Sequence, residues 1–177
     1  GLTNQDEFDL GTDPHVFDGA TPPVLIDPIG GESVNSTTPP LVLRNARDNN
    51  PRGQGLRYEY QVCAGSSLRQ RVTVSDRVPE TANNTAWPVP AGFLMENHTY
   101  WWTARANNGL AFGNAPNPET FVVNAINEAP STPSILRPED GDSVGSRRPT
   151  IVVDNASDRD PGDEQLDLEC ELATDDA

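Results

Sequence analysis

Apolar residues recur at every second position through several short stretches of the chain. Leu41 and Leu43 alternate with Val42 and Arg44. Leu56, Tyr58, Tyr60 and Val62 alternate with Arg57, Glu59 and Gln61, and Tyr100, Trp102, Ala104 and Ala106 alternate with Trp101, Thr103 and Arg105. A period of two puts one set on a buried face and the other in water, the mark of a half-buried β-strand. Gly, Pro, Asn and Asp bound each stretch, as turns require. Seven strands are expected: Val24–Asp27, Leu41–Ala46, Leu56–Cys63, Arg71–Asp76, Thr85–Val89, Thr99–Ala106 and Thr120–Asn124. Seventeen prolines and fourteen glycines interrupt the chain too often for long helices. The fold class is all-β.

The chain also repeats itself. Residues 22–67 laid over 132–177, at a constant offset of 110 and without a gap, agree at 14 of 46 positions. Roughly three would agree by chance from average residue usage. The matches include Pro23/Pro133, Pro28/Pro138, Gly31/Gly141, Val34/Val144, Pro39/Pro149, Asn45/Asn155, Asp48/Asp158 and Leu56/Leu166. A period of this size is that of one β-sandwich domain. The expected organisation is an N-terminal segment 1–20, a sandwich 21–126, a proline-containing linker 127–133 that is extended and semi-rigid, and an incomplete second copy 134–177. In that copy Leu166 to Leu172 reads as the third strand, and the strands that would cover it are missing. A longer natural chain is the favoured explanation, ahead of completion by another chain or folding against the first domain.

The stretch Leu94 to Ala106, with Tyr100 entering an alternating apolar strand, resembles the sixth strand of fibronectin type III domains. The segments Pro138 to Val144 and Asn155 to Asp163 resemble those of bacterial surface proteins with tandem modules of this kind. The resemblance covers about 22–177 and implies seven-stranded Ig-like, fibronectin III-like sandwiches. It also implies that Tyr100 bonds its hydroxyl to backbone at a corner. Trp102 and Trp87 are expected to fill the core beside it.

Residues Gly1 to Pro14 resemble the tail of a thrombospondin type 3 repeat, a helix-containing, EF-hand-like calcium loop. The resemblance implies metal ligands at Asn4 and Glu7 in one site and at Asp13 and Asp18 in a second, although the upstream aspartates of the motif are absent. The plain alternative is a short capped helix from Asn4 to Leu10, ended by Gly11. A separate cluster, Asp158-Arg159-Asp160-Pro161-Gly162-Asp163, brings Asp158, Asp160 and Asp163 together around a tight turn, and converging hard oxygens suit Ca²⁺. The other reading is a polar turn whose aspartates cap backbone amides. The matching loop of the first copy has Asn50 and Gly53 where the second has Asp160 and Asp163, so it should bind metal poorly.

Net charge is −15, and every one of the 12 basic residues is arginine. Such a surface repels phosphate backbones, so no nucleic-acid partner is expected. No apolar run approaches the length needed to cross a bilayer, and no signal peptide opens the sequence, which fits a mature or internal fragment. Cys63 and Cys170 fall on opposite strand faces in different copies and are expected to stay free, with Cys170 buried. His15 and His98 have no zinc spacing, and no nucleophile or phosphate-loop motif occurs, so the chain is not read as an enzyme. The expected role is a structural and adhesive module of a secreted or cell-surface bacterial protein, stiffened by Ca²⁺. Its partners would be neighbouring repeats, other copies, or surface glycans and proteins. The second reading is a carbohydrate-binding or accessory module of a secreted hydrolase, in which an outward Trp101 stacks on sugar beside Thr103, Arg105 and Glu59.

Overall fold

The computed structural model describes residues 3, 5, 6, 8, 19–48, 55–162 and 165–173. The protein is essentially all-β, and the chain divides into two compact units, Gly1–Ile126 and Asn127–Ala177.

Among the described residues, nine strands belong to the first unit: β1 (Val24–Asp27), β2 (Glu32–Val34), β3 (Pro40–Arg44), β4 (Arg57–Cys63), β5 (Arg71–Val74), β6 (Val78–Pro79), β7 (Asn84–Pro88), β8 (His98–Asn107) and β9 (Glu119–Val123). The smaller sheet has the order β1-β3-β7. The larger has the order β2-β9-β8-β4-β5, with β6 paired to β4. All pairings are antiparallel except β2 with β9, which is parallel.

Alternation decides what each sheet buries. Leu41 and Leu43 of β3 and Tyr58, Tyr60 and Val62 of β4 are fully buried, as are Trp102 of β8 and Phe121 of β9. All belong to one core cluster to which both sheets contribute. Within it large faces small: Tyr58 stands opposite Ala106 and Tyr60 opposite Ala104 in the β4–β8 ladder. Trp87 of the smaller sheet reaches the Tyr60 ring at 5.7 Å between centroids, and Trp102 stacks on it at 6.2 Å. Each large side chain buried this way contributes roughly 1.5–3 kcal/mol.

The polar ends of Tyr58, Tyr60 and Trp102 find partners, as buried groups must. Tyr60 donates its hydroxyl to the Thr85 carbonyl at 2.8 Å. Trp102 donates its indole N–H to the Pro28 carbonyl at 2.8 Å. The Ala46 N–H donates to the Tyr58 hydroxyl at 2.9 Å. Every one of these bonds runs from the larger sheet to the smaller sheet or to the segments that continue its strands.

The second unit contains β10 (Ser134–Arg137) and β11 (Val152–Asp154), paired antiparallel. Their register copies the first unit at the same offset. Val24, Leu25 and Asp27 face Arg44, Leu43 and Val42, and Ser134, Ile135 and Arg137 face Asp154, Val153 and Val152. The irregularity falls at the matching place in each. The clasp preceding the strands recurs too: Thr21 N–H donates to the Arg47 carbonyl at 2.9 Å, and Ser131 N–H to the Ser157 carbonyl at 2.8 Å. Both Asp27–Pro28 and Arg137–Pro138 are cis.

Two expectations for this unit are corrected. Leu166 to Leu172 forms no strand, and Cys170 is exposed rather than buried. In the first unit the same stretch, β4, is held between β8 and β5 and covered by Trp87 and Trp102. No strand among the described residues pairs with 165–173, so its backbone has no ladder to join. Leu168 and Leu172 are accordingly 44% and 80% exposed, where their counterparts Tyr58 and Val62 are fully buried.

Candidate functional site

Of the residues singled out as metal ligands, Asn4, Glu7, Asp13, Asp18 and Asp163 lie outside the described residues. Near the first of them, Gln5, Asp6 and Phe8 have helical backbone. Thr3 and Asp6 bond reciprocally: Thr3 N–H donates to Asp6 Oδ2 at 3.0 Å, and Asp6 N–H donates to Thr3 Oγ1 at 3.2 Å. That is a capping box, with Thr3 at the cap.

Asp158 and Asp160 lie in the loop that follows β11. Asp158 Oδ1 accepts the Asp160 N–H at 2.9 Å, an Asx turn, which realises the plain reading of this aspartate. Gly162 completes the bend at φ 100°, a conformation that suits glycine. Asp160 behaves differently from an ordinary turn residue. It is only 4% exposed, its Oδ2 accepts the Glu128 N–H at 3.0 Å, and its Oδ1 is buried with no hydrogen-bond partner. The Glu128 carboxyl beside it pushes the Asp160 pKa up. Burial and the negative charges of Glu128 and Asp158 add to this, and the Glu128 N–H partly offsets it.

Glu128 therefore faces the site, although its place in a linker gave no reason to single it out. The clasp explains its position. Ser157 N–H donates to Ser131 Oγ at 2.8 Å, in addition to the Ser131–Ser157 backbone bond, and this lays the linker along the loop. Among the described residues, no three His, Cys, Asp or Glu side chains stand together in a way that could hold a metal ion.

The first unit treats the matching position otherwise. Asp48, the counterpart of Asp158, accepts the Asn108 side-chain amide at 3.0 Å. A neutral donor from the segment after β8 satisfies it.

The outer face of the larger sheet carries the residues offered to a sugar. Glu59, Thr103 and Arg105 of these line a concavity of about 520 Å³ together with Gln61 and Arg71, and Trp101 is not part of its lining. Arg105 donates twice to Glu59 Oε1, at 2.9 and 2.7 Å, and its guanidinium lies 3.9 Å from the Phe112 ring centre. Thr103 is buried and donates its hydroxyl to the Pro116 carbonyl at 3.1 Å. Trp101 is half-buried. The segment after β8 thus lies over this face and takes up its polar groups.

Cys63 also sits on this side of β4, yet it is buried. The turn after β4 covers it, with the Leu68 carbonyl 3.4 Å from the sulfur. Both cysteines are free. Among the described residues, no helix is long and apolar enough to cross a membrane. No family model matches the chain, and no curated protein matches it either.

Proposed function

We propose that the chain is a non-enzymatic structural and adhesive module of a larger bacterial surface protein, built from tandem seven-stranded fibronectin III-like sandwiches and stiffened by Ca²⁺. Support for the tandem plan comes from the shared register, bulge and serine or threonine clasp of the two units. Support for the sandwich comes from the single core to which two sheets contribute. The corner implied by the resemblance has its counterpart in the Met95 N–H, which donates to the Tyr100 hydroxyl at 2.9 Å.

The observation that carries the structural role is the parallel pairing of β2 with β9. Glu32, Ser33 and Val34 face Phe121, Val122 and Val123. The ladder is extended at both ends, by Gly31 N–H to the Thr120 carbonyl and by Asn124 N–H to the Val34 carbonyl, each 2.9 Å. One strand lies near the start of the unit and the other near its end. Because they run parallel, tension on the two ends pulls them in opposite directions along their length. The bonds between them are then loaded together rather than one after another. Such a clamp resists force, which a spacer in a surface protein must do.

Single-molecule pulling tests this reading. Stretching the chain by its ends should give one abrupt release on the order of 350 Å, the extended length of the residues from β1 through β9. Asn124→Pro, which removes a clamp donor, should lower the release force. Smooth lengthening with no abrupt event in the unsubstituted chain would refute the mechanical role.

A further inference from the structure

The chain carries a net charge of −15, yet one side of the first unit gathers arginine. Arg57, Arg69, Arg71, Arg77 and Arg105 come from β4, β5, β8 and the turns beside them, and all of them are exposed. The ladders set Glu59 opposite Arg105, and Gln61 opposite both Thr103 and Val74, so these side chains share the outer face of the larger sheet. Arg105 is held in place there. Its Nε and Nη2 donate to Glu59 Oε1 at 2.9 and 2.7 Å, and its guanidinium lies 3.9 Å from the Phe112 ring centre. Arg77 lies 5.2 Å from the same ring. Arg71 lines the concavity of about 520 Å³ on this face. Among the described residues, Glu59 is the one carboxylate that pairs with any of these arginines, and it pairs with Arg105.

We infer that this concavity binds a carboxylate-bearing sugar, with Arg71 as the group that receives the carboxylate. The inference rests on the adhesive part of the proposed function and names the chemical class that the adhesion recognises. An arginine fork takes a carboxylate through two parallel N–H···O bonds, and the Arg71 fork is not spent on a carboxylate of the described residues. Arg105 is already neutralised by Glu59. That pair uses Glu59 Oε1 for both bonds and leaves Oε2 as an acceptor. Gln61 spends its amide nitrogen on the Leu68 carbonyl and the Cys63 sulfur, which leaves its Oε1 as a second acceptor. One cation beside two acceptors matches a ligand with one acid group and several hydroxyls. The volume falls in the range of small-molecule sites. A long polyanion fits less well, because the net charge of −15 repels it from a distance. A single acid group feels chiefly the charges within a Debye length, about 8 Å at physiological salt, and here those include the arginines. Trp101 does not line the concavity, so this site differs from ring stacking on that residue.

The test is a titration of the full ¹⁵N-labelled chain with methyl β-D-glucuronide, beside methyl β-D-glucoside, the same ring without the acid, followed by amide NMR. The Gln61, Arg71 and Thr103 amide signals should move together with the glucuronide and saturate, with a Kd on the order of 10⁻³ M, the strength that a ligand of so few atoms reaches. The glucoside should bind about tenfold more weakly, for want of the charge-assisted pair. Arg71→Gln, at an exposed position, should weaken glucuronide binding by about the same factor. Arg44→Gln removes the same charge from an exposed position on β3 and should leave binding unchanged, which separates a local contact from net charge. The inference is overturned if the two sugars bind alike, or if Arg71→Gln binds as the parent does. It is equally overturned if sodium acetate at the same concentration reproduces the shifts, since the site then recognises an anion and no sugar. Tighter binding of a triglutamate peptide would overturn it in favour of an acidic peptide. Pulling on β2 and β9 reads the clamp and not this face, so either proposal can fail without the other.

Discussion

The hydroxyl of Tyr60 ends on the carbonyl oxygen of Thr85, 2.8 Å away, and so joins β4 of the larger sheet to β7 of the smaller. Both residues are fully buried. Tyr60→Phe keeps the ring against Trp87 and Trp102 and removes only the donor, leaving a polar group buried without it. The expected loss is about 1–3 kcal/mol in urea unfolding, followed by Trp fluorescence. A change within about 0.5 kcal/mol, the usual size for a surface site, would mean that this bond does not tie the sheets together.

Gly113 is held between Ala106 and Ala20. Its N–H donates to the Ala106 carbonyl at 2.8 Å, and a Cβ on it would lie 2.2 Å from the Ala20 carbonyl oxygen. That oxygen is backbone and has no rotamer through which to retreat. Gly113→Ala should cost about 1–3 kcal/mol, as overpacking does. Amide exchange at Thr21, one residue along from the clash, should quicken by more than exchange in β8. Parent-like stability in this variant would show that residues 19–21 do not pack against Gly113.

Burial holds the hydroxyl pKa of Tyr58 and of Tyr60 well above 10, with the Glu80 carboxylate adding to the effect at Tyr58. The unfolded chain releases these protons near pH 10 while the folded chain keeps them. Above that pH the unfolded state binds fewer protons, so stability is full below about pH 10 and falls as pH rises further. An alkaline titration should show tyrosinate absorbance from these two residues appearing together with the loss of near-UV dichroism. Two buried tyrosines that ionised reversibly at pH 10 without unfolding would contradict the packing described.

Cys170 is exposed and Cys63 is buried under the turn after β4. A thiol reagent added to the native protein should modify one cysteine rapidly and the other only at the rate of opening. Peptide mapping should find the fast label on Cys170. Fast labelling of Cys63 would show that the 64–70 turn does not cover it.

Much of this fold is legible in the sequence because its strands are one-sided. β4 and β8 are seven and ten residues long, and the apolar alternation in each runs far enough for the buried face to declare itself. The short strands β2 and β6 have three and two residues and no alternation to read; their partners, not their own pattern, make them strands. Leu166 to Leu172 carries the strand pattern without the neighbours a strand needs. The site was half legible. Asp158 and Asp160 stand in a recognisable acidic turn, whereas Glu128 reaches it through the Ser131–Ser157 clasp, a contact between residues 26 positions apart that leaves no local trace.

The central claim is that one backbone plan occurs twice, 110 residues apart. Cross-strand NMR contacts of the backbone in the full chain test it most directly. Leu25 should be found opposite Leu43 and Ile135 opposite Val153, with the same irregularity following each pair. If Ile135 instead pairs with another residue, or with none, the second unit does not share the plan of the first and the tandem reading is wrong.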